Sequence, residues 1–307
     1  MIQALPSASE GSTLRLACPA KVNLALSVGA RDDRGYHPVA TWMVAVSLAD
    51  TLTLTRTGEP SSLSVAFAED ALGTHHVDWP VEKDLSWRAL EALEAHAGRT
   101  LGVEMVLSKR VPAGGGLGGG SSDAAGVLVG VNRLFGLGLP DGVLKSIAAG
   151  LGADVAFFVG AHSGETSAIG TGYGEQLSAA PHREVVWLVL IWPGFGCATA
   201  GVYKAFDDQP GPHEVDLDRV LTLAAGGLVC AHDPFNDLAA PACAAEPRLG
   251  NLRKKLADEL ETPVHITGSG STLFLVASDE ADANGLSKRV SERFGVASVP
   301  CSSIKRG

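Results

Sequence analysis

Cysteine, basic charge and long apolar runs are all scarce in this chain, and each shortage narrows what it can be. The five cysteines (Cys18, Cys197, Cys230, Cys243, Cys301) are scattered, odd in number and never spaced as Cys-x-x-Cys. That spacing predicts reduced, mostly buried thiols, with no disulfide framework and no zinc site. Lysine and arginine number 24 against 34 aspartates and glutamates, a net charge of −10. Nucleic-acid and membrane-surface binders carry a basic footprint, so neither kind of partner is expected. No apolar stretch approaches a membrane span, and Met1-Ile-Gln-Ala-Leu-Pro6 has no basic segment leading into an apolar one. The cytoplasm is therefore the expected compartment. His75-His76 with Asp78 reads as a polar surface loop with nothing nearby to complete a ligand set, and no protein-held metal is expected.

What is present is a chain of 307 residues, 46% hydrophobic and 19% charged, able to bury a sizeable core and expected to form two domains. Its most informative stretch is Val111-Pro-Ala-Gly-Gly-Gly-Leu-Gly-Gly-Gly-Ser-Ser-Asp-Ala-Ala125, with six glycines in the seven residues 114–120. A run of this kind leaves backbone N–H groups free to wrap an anion. Val103–Leu107 before it reads as a strand. Ala124, Ala125, Val127, Leu128, Val131, Leu134 and Phe135 after it recur at helical spacing. The loop thus feeds a helix N-terminus, where unsatisfied N–H groups and the positive dipole end, with Ser121 and Ser122 as extra donors, suit a polyphosphate. Gly115 and Gly120 have the spacing of a Walker loop, but Ser121 and Ser122 follow where Lys and Ser/Thr belong. Positive charge must come from elsewhere.

Residues 13–29 read as a strand on which Lys21 and Asn23, two apart, share a face opposite Ala20, Val22 and Leu24. Arg31–His37 is a polar turn and Val39–Leu54 the returning strand. Leu85–His96 and Asp141–Ala149 read as helices. In Gly152–Val159 the carboxylate of Asp154 stands between a helix end and an apolar run. Val185–Ile191 has the look of a buried strand, followed by a turn and a helix carrying Tyr203, then short helices. Thr262–Ala277 reads as strand, Gly268-Ser-Gly270 turn, strand, and a helix (281–294) and strand (296–301) close the chain.

Three motifs in this order, Pro19-Ala-Lys-Val-Asn-Leu24 with Gly35-Tyr-His37, Pro112–Ala125, and Thr267-Gly-Ser-Gly-Ser-Thr-Leu-Phe274, make the chain resemble the GHMP kinases. Gly152-Ala-Asp-Val155 and Asn236-Asp-Leu238 also fit. The resemblance implies an α+β, two-domain GHMP kinase fold with the active site in the interdomain cleft: residues 1–164 as an ATP-binding domain and 165–307 as a substrate-binding domain. It implies ATP with Mg²⁺ as co-substrate and a small-molecule alcohol as acceptor. The Pro-Ala-Lys-x-Asn-Leu and Gly-Tyr-His pair points to the branch that phosphorylates the 2-hydroxyl of a cytidine-diphosphate-linked methylerythritol. In that pattern Asp154 is the general base and Lys21 its charged neighbour, keeping it ionised and offsetting charge on the phosphoryl oxygens. Lys109, Pro112, Gly114, Gly115, Gly116, Leu117, Gly118, Gly119, Gly120, Ser121 and Ser122 hold ATP. Tyr36 and His37 meet the cytidine with Tyr203 on its other face, Asn23 lies near the reacting end, and Gly268, Ser269 and Gly270 close over the substrate. The family often has Asn where this chain has Asp84. Asn donates as well as accepts whereas ionised Asp only accepts, so the resemblance does not carry adenine recognition to residue 84. Another GHMP small-molecule kinase, such as one for homoserine, and a non-catalytic nucleotide sensor remain as alternatives. A monomer or weak homodimer is expected.

Overall fold

A computed structural model describes residues 9–73, 79–180, 184–210 and 213–305; His75, His76, Asp78 and the first six residues lie outside them. In chain order the elements are β1 (Thr13–Val28), β2 (Val39–Arg56), β3 (Ser62–Phe67), α1 (Leu85–Ala97), β4 (Val103–Lys109), α2 (Gly119–Leu134), α3 (Asp141–Ala149) and α4 (Ala153–His162). Then follow β5 (Ser167–Thr171), β6 (Gln176–Ala179), β7 (Trp187–Trp192), α5 (Thr199–Asp207), α6 (Leu217–Ala225), β8 (Phe235–Asn236), α7 (Ala239–Ala245), α8 (Pro247–Leu260), β9 (His265–Ile266), β10 (Leu273–Ala277), α9 (Glu280–Phe294) and β11 (Ala297–Ser302). The mixture of helix and sheet is the α+β class expected. No helix of the described residues is long and apolar enough to cross a membrane.

The chain divides into two compact units, and neither is a continuous segment. Unit 1 is Met1–Ala20, Ala49–Val111 and Gly118–Glu165; unit 2 is Lys21–Leu48, Pro112–Leu117 and Thr166–Gly307. One boundary falls at 165/166, beside the expected 164/165, but the turn carrying Tyr36 and His37 and most of the glycine loop count with the C-terminal unit. The interleaving follows from strand length: β1 and β2, 16 and 18 residues long, each begin in one unit and end in the other.

In unit 1, β3 runs parallel to β4, and β4 pairs antiparallel with Thr51–Arg56 of β2. Helices α1 and α4 pack against α2. Helix α2 lies close on the sheet because two glycines face it. A Cβ on Gly126 would come within 2.6 Å of the Cys18 sulfur, and one on Gly130 within 2.4 Å of Leu54 Cδ1. The apolar run after Asp154 is helix α4, whose Val155–Gly160 stretch is wholly buried. Near its end, burial and then the charge of Arg133 hold the His162 imidazole down to about 4, and its buried Nε2 has no hydrogen-bond partner. The ring is neutral when folded and takes a proton near pH 6.5 when unfolded, so stability is full above about 6.5 and falls as pH drops toward about 4. That loss is on the order of 3 kcal/mol. Melting temperatures measured from pH 7 to 4 should fall less steeply for His162→Gln, and parallel curves would rule out His162 as the source.

In unit 2, β7 is central in an antiparallel sheet ordered β11-β7-β10-β9, with α9 packed on it. Thr41–Val44 of β2 pairs with β5, β5 with β6, and Ala25 and Leu26 of β1 run parallel to β8. A core of Leu26, Val189, Ile191, Val202, Phe206, Leu249, Leu273 and Leu275 joins these strands to α5, α7 and α8.

Candidate active site

The glycine run supplies both a loop and the first turn of a helix. Gly114, Gly116 and Gly118 take φ of 71°, 77° and 72°, left-handed values at which other residues are strained. Gly118 caps α2, so Gly119, Gly120 and Ser121, which read as loop in the sequence, are helical. The N–H groups of a first turn have no acceptor within the helix. Here no cap side chain bonds them and no acidic residue occupies the turn, an arrangement that suits an anion. Ser122 is completely buried with its hydroxyl unpartnered.

Lys109, at the end of β4, is buried, and its ammonium is bound by Asp50 of β2 and Asp123 of α2, both also buried. Asp50 accepts in addition from the backbone N–H groups of Arg110 and Val111. Burial works against the Lys109 charge, but Asp123 and Asp50 outweigh it and hold the ammonium above its ordinary range. The Asp123 carboxyl is pushed up to about 8, chiefly by burial, with Lys109 opposing and Asp50 adding to the rise. Asp154 lies in the first turn of α4, where the macrodipole favours a negative side chain. Asp84 caps α1: Oδ1 accepts from Ser86 N at 2.8 Å and Oδ2 from the Trp79 indole at 2.8 Å. Both oxygens accept, which suits Asp here better than Asn, whose NH₂ would face a donor.

In unit 2, Lys21 and Asn23 do share a face. The Lys21 ammonium donates to Asn23 Oδ1 at 2.6 Å, and the Lys21 backbone N–H donates to Leu117 O at 2.9 Å. Asn23 is itself held from both ends of the sequence: its Nδ2 donates to Thr41 Oγ1, its Oδ1 accepts from Thr267 Oγ1, and its N–H donates to that same hydroxyl. The two glycine turns pack on one another. A Cβ on Gly116 would stand 2.7 Å from Thr267 O, and one on Gly115 would stand 2.7 Å from Thr272 Oγ1. Gly268 O and Ile266 O accept from Asn236 Nδ2 at 2.8 Å each, and Ser269 bonds Thr199 at 3.0 Å.

Tyr36, His37 and Tyr203 line a cavity of about 670 Å³ together with Arg31, Tyr173, Lys204 and Asp207. The His37 ring lies 4.9 Å from that of Tyr203, tilted by 32°, and its Nε2 is 3.4 Å from Asp207. Its Nδ1 is 2.9 Å from Gly29 O. A carbonyl only accepts, so Nδ1 carries hydrogen, while Nε2 faces the Asp207 carboxylate. Tyr36 is 63% exposed, its ring 5.6 Å from that of Tyr173. Asp32 ties the turn together by accepting from Tyr173 Oη, Tyr36 N and Arg34 N. The Tyr173 hydroxyl, then the Tyr36 N–H, bring its carboxyl down to about 2.

Residues 84–162 match the N-terminal domain of the GHMP kinases. Over 288 residues, spanning 92% of this chain and 96% of the relative, the sequence is 36% identical to 4-diphosphocytidyl-2-C-methyl-D-erythritol kinase of Moorella thermoacetica. The chain belongs to the GHMP kinases. A crystal structure of 4-(cytidine 5'-diphospho)-2C-methyl-D-erythritol kinase superposes on this kinase with a TM-score of 0.73 at 32% identity, covering 94% of this chain and 98% of that one. Homoserine kinase from Cytophaga hutchinsonii shares the fold with a TM-score of 0.68 at 16% identity, covering 98% of each. ATP as co-substrate follows from membership of a kinase family. Asp50, Asp123, Thr267, Asp32 and Tyr173 of this kinase carried no role in the sequence reading. Asp50, Thr267 and Tyr173 act on residues far along the chain, whereas Asp123 and Asp32 lie, like Thr267, within stretches already singled out.

Proposed function

We propose that this kinase transfers the γ-phosphoryl group of ATP to the 2-hydroxyl of 4-diphosphocytidyl-2-C-methyl-D-erythritol, giving the 2-phosphate and ADP in non-mevalonate isoprenoid precursor synthesis. The observation that carries the substrate is the aromatic cavity. Tyr36, Tyr203 and Tyr173 offer flat faces for a base, and the His37 imidazole, fixed by Gly29 O and Asp207, lines the same cavity as a hydrogen-bonding group for the base edge. Asp154 takes the proton of the attacking hydroxyl. The hydroxyl oxygen bonds the γ-phosphorus as the bond to the bridging oxygen breaks, and ADP leaves. Lys21, oriented by Asn23, offsets charge on the transferring phosphoryl oxygens. The N–H groups of Gly119, Gly120 and Ser121 hold the phosphates. Mg²⁺ enters with ATP and neutralises phosphate charge. The unpartnered Ser122 hydroxyl is an oxygen of the kind Mg²⁺ takes. The protein works in the cytoplasm as a monomer or weak homodimer, without nucleic acid or membrane.

The test is a coupled assay for ADP release from Mg-ATP with the cytidine compound and, in parallel, with homoserine, mevalonate and galactose. Turnover with the cytidine compound alone supports the proposal. Turnover with another alcohol overturns the substrate, and none with any alcohol points to a nucleotide sensor. In the same assay Tyr203→Ala should raise KM for the cytidine substrate by the equivalent of about 1–3 kcal/mol of lost stacking, leaving KM for ATP unchanged. An unaltered KM would move the stacking role to another residue.

A further inference from the structure

The phosphate loop leaves β4 through Arg110 and Val111 and comes back as the first turn of α2, and one buried carboxylate holds the outgoing end directly and the returning end through Lys109. Asp50 accepts the N–H groups of Arg110 and Val111 at the outgoing end. It also binds the Lys109 ammonium, which binds Asp123 at the returning end. The two ends are pinched together: an ideal Cβ on Gly119 would stand 3.0 Å from Val111 Cγ1 and 3.4 Å from Lys109 Nζ. Asp50, Lys109 and Asp123 are at most 4% exposed, and two of the three ammonium protons of Lys109 are taken by protein carboxylates. We propose that Asp50 is a positioning residue for ATP: acting through Lys109 and Asp123, it clasps the ends of the phosphate loop so that the loop and the first turn of α2 present their N–H groups together. The proposal rests on the reading of this loop as the ATP site. It gives Lys109 a different task from that of a phosphate-contacting lysine, because its charge is spent inside the clasp.

The test is Asp50→Asn, which keeps an acceptor for the backbone N–H groups but turns an NH₂ toward the Lys109 ammonium. Calorimetric titration of the intact protein with Mg²⁺ and a non-hydrolysable ATP analogue should show at least a ten-fold weaker Kd. KM for ATP should rise in parallel, KM for the alcohol should stay within two-fold, and Asp70→Asn, which removes only the exposed partner of the Arg110 side chain, should bind as wild type. A lowered melting temperature with an unchanged analogue Kd would overturn the proposal and leave Asp50 as core structure; so would equal weakening of both substrates. Wild-type protein that fails to bind the analogue would instead remove the ATP reading beneath it. If Asp50→Asn does not fold, Asp123→Ala, which removes the returning end of the clasp and leaves the Asp50 bonds to Arg110 and Val111 in place, decides by the same split between ATP and alcohol.

Discussion

Asparagine in place of Asp154 is expected to lower kcat by about 10²–10⁴-fold, the usual worth of a positioned general base. Asp154 sits in the first turn of α4, preceded by Gly152 in an extended conformation and followed by the wholly buried Val155–Gly160 stretch. The buried run anchors the helix in the core, so the first turn extends from packed structure. Asn keeps the shape and one acceptor oxygen but cannot take the proton of the attacking hydroxyl. KM for ATP and for the cytidine substrate should therefore stay within a few-fold while kcat collapses, the signature of an interaction made only in the transition state. Steady-state kinetics with both substrates varied, alongside calorimetric binding, make the check. An unchanged kcat would take the base role away from Asp154, and a loss confined to KM would recast it as a substrate ligand.

The second large effect concerns two glycines of one run, which should respond with opposite signs. Alanine at Gly116 meets two penalties: φ is +77°, and the new Cβ would stand 2.7 Å from the carbonyl oxygen of Thr267 and 3.1 Å from that of Gly270. Backbone oxygens in a packed turn cannot swing aside as a side chain can, so the two turns must separate. The expected cost is roughly 2–4 kcal/mol of stability, with ATP affinity lost as the loop is displaced. Gly120, four residues on, is helical and its ideal Cβ meets only Leu85 Cδ1 at 3.8 Å. Alanine there fits the space and favours the helix, so stability should hold or rise by up to about 1 kcal/mol. Denaturant unfolding of the two variants beside wild type checks the pair. Equal destabilisation would mean that lost glycine freedom in general, and not the approach of the Thr267 turn, sets the cost.

Much of the fold was legible because its signals are local. The alternation and apolar content of residues 13–29 and 39–54, the helical spacing from Ala124 onward and the helix ending at Gly150 depend on neighbours within one or two turns, and the elements found, Thr13–Val28, Val39–Arg56, Gly119–Leu134 and Asp141–Ala149, agree to within about five residues. The glycine run pointed to an anion cradle for the same reason: the freedom to take left-handed φ, found at Gly114, Gly116 and Gly118, belongs to the loop itself. The existence and rough extent of the longer helices and strands were thus determined by the sequence alone, whereas the short strands β3, β5 and β6 and the helical first turn of α2 were not. What holds the functional side chains was not. Thr267 reaches Asn23 across 244 residues, Tyr173 reaches Asp32 across 141 and Asp50 reaches Lys109 across 59. In the sequence each of these residues is only a threonine, tyrosine or aspartate in or beside a strand or turn, types that occur there for many reasons. Their partners are chosen by register and packing: β2 running on from one unit into the other carries Thr41 and Asp50 on a single strand, and the pairing of β10 with β9 seats Thr267 at a turn. Tertiary structure therefore decided the interleaved division of the chain, the carboxylate clasp on Lys109 and the anchoring of Lys21, because contacts between distant segments form only once whole elements have packed.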